Sequence, residues 1–263
     1  MNRIIISLVG ILLISACSTV AVSNRKQIKL IPNTTMFATS FQQYGDFLKE
    51  QKLSKNQQQT QMVKKVGAKI QKAVEKYFAD KGMSSTLKGY SWDFNLVEDP
   101  QINAWCMPGG KVVFYTGILP ATKDETGLAV VMGHEIAHAI ADHGNERMSQ
   151  QLLLQGGGMA LDQLTKTKPD KTKKMWGTVF GLGAQYGAVL PFSRLHESEA
   201  DHLGLIFMAM AGYNPNEAVD FWTRMSKMGG QKPPEFMSTH PSDETRIKQI
   251  KEHLPEAMKY YKK

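Results

Sequence analysis

The stretch 130–144, VVMGHEIAHAIADHG, sets His134, Glu135 and His138 among side chains that would otherwise bury only methyl groups. Two imidazoles and a carboxylate serve no packing purpose in an apolar run, so they point to something bound there. On a helix, residues four apart are offset by about 40° and lie one turn above each other. His134 and His138 then present two nitrogens to one point, the spacing a zinc ion takes. Glu135, one step round, reaches a water on that ion as a general base. The competing reading is a pair of exposed or core histidines. The flanking Leu128, Val131, Met132, Ile136 and Ile140 put the motif mid-helix and weigh against it.

A catalytic zinc wants three protein ligands and a place for water. One class of site takes a His ten residues after the first, following a Gly at the seventh; here those positions hold Gly144 and Ala141. His143 misses by one residue, and in a helix that runs on to about Asp142 it cannot swing back. Another class takes a Glu from a later helix, and SRLHESEADHLG (193–204) meets that need. Glu197 and Asp201 are four apart and share a face, while Glu199 lies about 200° away from Glu197. With Glu197 on the metal, Asp201 is placed to accept the free N–H of a zinc-bound His and fix its tautomer. With Glu199 instead, the residue four later is Leu203, which orients nothing. Glu197 is the expected ligand, and a solvated acidic face does not explain Ala200, Leu203 and Leu205 around it.

Several elements must position these groups. Two helices are expected between Thr35 and about Lys81. In the second, Met62, Val63, Val66, Ile70, Val74 and Tyr77 recur at three- and four-residue steps. Between Ser91 and Tyr115 the period drops to two. Trp92, Phe94 and Leu96 alternate with polar residues, and INAWCMPGGKVVFYTGIL reads as a strand, a Pro108-Gly109-Gly110 turn and a second strand, Lys111–Tyr115. Thr122 and Glu125 have capping-box spacing ahead of the motif helix, and Gly144 reads as its stop. Residues 150–190 are glycine-rich and less regular. Within them MWGTVFGLGAQYGAVLPF reads as a buried small-residue helix, with membrane contact as the competing reading. Pro191 interrupts, and helices follow from about Arg194 to Ala211, after Pro215, and from near Ser242. Strands followed by helices, without βαβ alternation, argue for an α+β fold, mostly helical with a small sheet beside the HExxH helix.

HExxH at 134–138 together with Glu197-Ser198-Glu199-Ala200-Asp201, preceded by Ser193-Arg194, resembles the gluzincin metallopeptidases of the HtpX and CaaX-prenyl-endopeptidase type. More closely it resembles their soluble periplasmic and mitochondrial relatives. NAWCMPGGKVVFYTGIL before the motif and GYNP after it match as well, so the likeness covers about residues 60–253. The resemblance implies one Zn2+ per chain, held by His134, His138 and Glu197, with Glu135 catalytic. It implies that the strand around Asn103–Cys106 or Lys111–Tyr115 lines the cleft, where Asn103 and Ala104 meet a substrate backbone added to a sheet edge. Arg194 and Asp201 belong to the supporting shell. STHPSDETRI resembles the family's C-terminal segment. There His240 either donates a hydrogen bond to the oxyanion, binds the zinc reversibly to keep the enzyme silent, or only packs at the start of a helix. Arg246 supports that segment or the carboxylates. The membrane-spanning helices of the integral-membrane members are absent, which speaks against a prenyl substrate.

The N-terminal MNRIIISLVGILLISAC carries Arg3 and then an apolar run, Ile4–Ile14, the size of a signal-peptide core. Ile14-Ser15-Ala16-Cys17 resembles a bacterial lipobox, in which the Cys sulfur carries lipid; a plain hydrophobic anchor is the competing reading. The chain then divides into a lipoprotein signal peptide (1–16), a lipidated N-terminus and polar tether (17–35) and a zinc metallopeptidase domain (36–263). Acylated Cys17 would hold the protein on a membrane, and Ser18 after it resembles lipoproteins sent to the outer membrane of Gram-negative bacteria. Only Cys106 would remain as a thiol, so no disulfide forms within the chain. The net charge is +8, but the lysines are scattered, densest at Lys166–Lys174 and Lys259–Lys263, and no nucleic-acid partner is expected. The expected function is a zinc endopeptidase on the periplasmic face of the outer membrane. It would cut misfolded or misassembled envelope proteins, with the outer-membrane assembly machinery as a further partner. The alternative is a chaperone-like or assembly-factor lipoprotein that keeps the zinc fold with little proteolysis, a role that has no need of Glu135.

Overall fold

The computed structural model describes residues 17–185, 189–228 and 243–262. The expected signal peptide (1–16) and the segment carrying His240 lie outside the described residues. The described residues begin with an antiparallel hairpin of β1 (Cys17–Thr19) and β2 (Lys26–Ile28). The stretch expected as a free polar tether is therefore folded onto the domain. Val20 is buried, the amide of Leu30 donates to Ser149 Oγ, Asn145 Nδ2 donates to the Ile31 carbonyl, and Lys29 pairs with Asp142. Polar composition suggested solvent there, but the polar groups are satisfied by partners more than a hundred residues away.

The two expected N-terminal helices form as α1 (Asn33–Glu50) and α2 (Gln57–Asp80). Asn56 caps α2 by accepting from the amide of Gln59, and Val63, Val66, Ile70 and Val74 bury as one stripe. The period-two region forms β3 (Asp93–Val97), β4 (Ala104–Met107) and β5 (Lys111–Tyr115) in the order β3-β5-β4. β5 runs parallel to β3 and antiparallel to β4. Gly109 and Gly110 make the turn between β4 and β5 with φ of 86° and 88°, where a side chain would be strained. β5 is central and paired on both sides. β4 has one ladder edge open among the described residues and packs along the HExxH helix.

That helix is α4 (Glu125–Ile140), reached through α3 (Leu119–Thr122). Its cap is Asp124, whose carboxylate accepts from the amides of Thr126 and Gly127. The expected Thr122–Glu125 capping box does not form. Lys123 turns at a φ of 64°, and the Thr122 hydroxyl donates instead to the Leu119 carbonyl inside α3. α4 ends two residues before the expected end near Asp142, and Gly144 is not its stop. The helix stops at Ile140, Asp142 adopts the left-handed conformation with φ 58°, and α5 (His143–Thr165) starts in a new direction with Gly144 inside it.

The glycine-rich region is regular: α5 packs on α6 (Asp170–Ala184) as a helical hairpin. α6 has no buried residue, and Met175, Trp176, Val179 and Leu182 are exposed, so the expectation of a buried helix fails. α7 (Leu190–Met210) begins with Pro191 in its first turn, where the missing N–H breaks no bond. α8 (Glu217–Met228) and α9 (Asp243–Ala257) complete the fold. Among the described residues no helix is long and apolar enough to cross a membrane.

The pairing that matters for the site is α4 against α7, built on fully buried Met132, Ile136, Leu203 and Phe207. The two backbones touch at glycines. A Cβ on Gly204 would lie 2.8 Å from the His134 amide nitrogen, and one on Gly133 would lie 2.7 Å from the Gly204 carbonyl oxygen. This contact brings the second half of α7 against the first turn of the motif.

Candidate metal centre

His134 Nε2 and His138 Nε2 stand 3.1 Å apart, and Glu197 reaches the first with Oε2 at 3.5 Å and the second with Oε1 at 3.4 Å. Tetrahedral zinc with ligand bonds of about 2.0–2.1 Å separates its ligands by about 3.3–3.4 Å. The three groups already stand at such edge lengths, and two imidazoles with one carboxylate leave a fourth vertex open. His134 is 7% exposed and Glu197 5%, so the donors face one another in a largely dry site. The donor chemistry and the spacing fit Zn2+.

The surroundings fix how these groups are turned. Asp201 Oδ1 lies 2.8 Å from His134 Nδ1 and can only accept, which puts a proton on Nδ1 and makes Nε2, turned toward His138 and Glu197, the nitrogen that would meet a metal. Asp201 is itself gripped by Arg246 from α9, with Nε on Oδ2 at 2.8 Å and Nη2 on Oδ1 at 2.7 Å. Arg246 Nη1 also lies 3.4 Å from Glu197 Oε2, and its guanidinium sits 3.3 Å over the ring of Trp222 from α8. One arginine thus braces both Glu197 and Asp201.

Burial opposes charge on His134, as does Arg246, but Asp201 and Glu197 outweigh them and raise it to about 10, so an ion binding Nε2 must displace a proton from it. Burial pushes His138 down to about 4, with His134 adding to the effect and Glu197 opposing it. Asp201 is held below the usual carboxylate range although burial works the other way, because Arg246 and His134 favour its charge. Glu135, half-buried and outside the ligand triangle, is raised to about 7, first by burial and then by the charge of Glu197. That suits a group that must take and return a proton near neutral pH.

His134, His138, Glu197 and Asp201 therefore come together, with Glu135 beside them. Glu199 points away from the cluster, as its angle on the helix requires. Arg194 lies half-buried on α7 one turn before Glu197. Asn103 is exposed just before β4 and Ala104 is the first residue of that strand, the one with the open edge. Of the two strands considered for the cleft, Lys111–Tyr115 is ruled out as an edge because β5 is paired on both sides. His143 was set aside on the premise of a continuing helix. The left-handed Asp142 turns it back, and its Nδ1 comes within 2.8 Å of His138 Nδ1, on the side away from the ligand triangle. The only hint in the sequence is Asp142 itself, a residue type that tolerates this conformation.

Two histidines from one helix, a glutamate from a second and a neighbouring acid off the metal define the gluzincin class of metallopeptidase. The sequence model of Peptidase family M48 matches residues 64–254. Mitochondrial metalloendopeptidase OMA1 of Schizosaccharomyces pombe is 37% identical over 190 residues, covering 72% of this chain and 53% of that protein. The Arabidopsis thaliana protein of the same name is 35% identical over 195 residues, 73% of this chain and 38% of the relative. The beta-barrel assembly-enhancing protease of Yersinia pestis is 32% identical over 161 residues, 59% and 32% of the two chains. The chain thus spans between about a third and about half of the length of these relatives. It belongs to peptidase family M48.

Proposed function

We propose that the protein is a zinc-dependent endopeptidase in which His134, His138 and Glu197 bind the metal and Glu135 is the general base. The observation that carries this reading is the 3.1–3.5 Å triangle of ligand atoms with a carboxyl group of raised pKa beside it. Zinc, when bound, supplies Lewis-acid polarisation of a peptide carbonyl and acidification of water. Glu135 takes the proton of the attacking water and passes it to the leaving amine. Asp201 holds His134 in the Nδ1–H tautomer through the reaction, and Arg246 keeps Asp201 and Glu197 from moving apart. The open edge of β4, with Asn103 and Ala104, offers backbone hydrogen bonds to an extended substrate, which gives affinity with little side-chain selectivity.

We further infer a place on the periplasmic face of the outer membrane, held by lipid on Cys17, with misfolded or misassembled envelope proteins as substrates and the assembly machinery nearby. The lipobox-like Ile14–Cys17 supports the anchor, and the likeness to a relative named for enhancing β-barrel assembly supports the substrate class. Incorporation of labelled palmitate into wild type but not Cys17→Ser tests the anchor. Casein digestion tests the activity: it should stop on adding a chelator, return with zinc, and be missing in Glu135→Gln. Equal digestion by wild type and Glu135→Gln overturns the protease reading. No digestion by either leaves the chaperone-like alternative standing.

A further inference from the structure

We propose that the N-terminal hairpin is a working part of the metal centre, because its Ser23 and Arg25 fix Glu199, which through His143 sets the tautomer and orientation of His138. This rests on the reading of His138 as a zinc ligand. Ser23, Arg25, His143 and Glu199 are thereby positioning residues; none supplies an atom to the ligand triangle.

The protons decide the direction of the chain. His143 Nε2 lies 2.9 Å from Glu199 Oε2. A carboxylate only accepts, so His143 carries its proton on Nε2 and offers the Nδ1 lone pair. His138 Nδ1 is 2.8 Å from that lone pair, so the proton between the two rings belongs to His138. Its Nε2, which faces His134 and Glu197, is then left free to bind an ion. One assignment satisfies every atom in the chain. The two metal-facing rings are thus supported alike, His134 by a carboxylate directly and His138 by a carboxylate acting through a second imidazole.

Glu199 is held from the N-terminal side. The Ser23 hydroxyl donates to Oε1, and Arg25 Nε donates to Oε2 at 2.9 Å. The other two nitrogens of Arg25 fork onto Glu146 at 3.0 and 2.7 Å, and Glu146 also accepts from His196 Nε2 at 2.9 Å. His143 and His196 are fully buried and their rings stack with centroids 4.2 Å apart, so His143 has no room to rotate. The hairpin also secures the turn that brings His143 back. Lys29 pairs with the left-handed Asp142, and the Ile31 carbonyl takes the amide of Asn145. A buried ionic cluster adds little stability over apolar packing. What this one supplies is a fixed hydrogen-bond direction that ends on a metal-facing ring.

The test uses the full chain with Arg25→Ala, Glu199→Ala and Glu199→Gln. Three quantities are measured: the zinc dissociation constant by competition with a chromophoric chelator, the visible spectrum of the cobalt(II)-loaded protein, and the melting temperature in EDTA. Loss of such outer support weakens metal binding by about 10- to 100-fold. Arg25→Ala and Glu199→Ala should show that loss and a shifted cobalt band. Glu199→Gln, which keeps an acceptor for His143, should recover most of both. Arg25 reaches the surface, so its alanine variant decides the matter if Glu199→Ala fails to fold. Wild-type zinc affinity and cobalt spectrum in folded Arg25→Ala overturn the proposal. So does an affinity loss in Glu199→Gln equal to that of Glu199→Ala and matched by a lower melting temperature in EDTA. A wild-type protein that binds no zinc overturns the metal reading itself.

Discussion

The sharpest packing prediction concerns Gly204→Ala. An added Cβ would stand 2.8 Å from the His134 amide nitrogen, 2.9 Å from the Gly133 carbonyl carbon and 3.1 Å from His134 Cα. Comfortable contacts lie at about 3.5–4.0 Å, so α4 and α7 must separate by roughly 0.7 Å. All three atoms are backbone, and no rotamer change relieves the clash. Overpacking of this kind costs about 1–3 kcal/mol, against which alanine gains up to about 1 kcal/mol in helix propensity. The net expectation is a destabilisation of about 0–2 kcal/mol. The metal site should suffer more, because ligand distances tolerate only about 0.2 Å and Glu197 rides on α7. The same exchange at Gly45 in α1, where nothing lies within 4 Å, should stabilise by about 0.5–1 kcal/mol. Urea unfolding in EDTA and zinc titration of both variants provide the assay. If Gly204→Ala is as stabilising as Gly45→Ala and binds zinc like wild type, the reasoning from backbone contact is wrong.

Two more outcomes follow from the electrostatics. Burial, with the charge of Glu135 adding, pushes the Cys106 thiol well above its ordinary value. Its peptide should stay unmodified by iodoacetamide at pH 8 in the folded protein and react on unfolding, as read by mass spectrometry. Glu146 is held below its usual 4.5 by His196 and Arg25 although burial opposes this. A depressed carboxylate stabilises the fold above its unfolded pKa, and that stability is lost as pH falls through the folded value. Glu146→Gln should therefore flatten the loss of stability below about pH 4.5, measured as urea midpoint against pH.

The parts of the site written in local spacing were legible in the sequence. His134 and His138 share a face because four residues make about one turn, and the same rule pairs Glu197 with Asp201. Period-two alternation at Trp92, Phe94 and Leu96 and the Pro108-Gly109-Gly110 turn marked the sheet. What stayed hidden depends on distant contacts or on local near-ties. Thr122 and Asp124 are both plausible caps, and the turn at Lys123 decides between them. Asp142 adopts its left-handed conformation beside Lys29, a partner 113 residues away, so the return of His143 could not be read along the chain. Arg25 finds Glu146 across 121 residues, which is why its segment looked like a tether. The glycines of α5 and α6 blurred a helical period that side-chain packing does not reinforce.

The central claim is that one ion is shared by His134, His138 and Glu197. Metal analysis of the purified protein beside Glu197→Ala and Glu135→Gln tests it most directly. Wild type and Glu135→Gln should each carry one zinc per chain and Glu197→Ala almost none, with all three folded. Zinc retained at full stoichiometry in folded Glu197→Ala would contradict it.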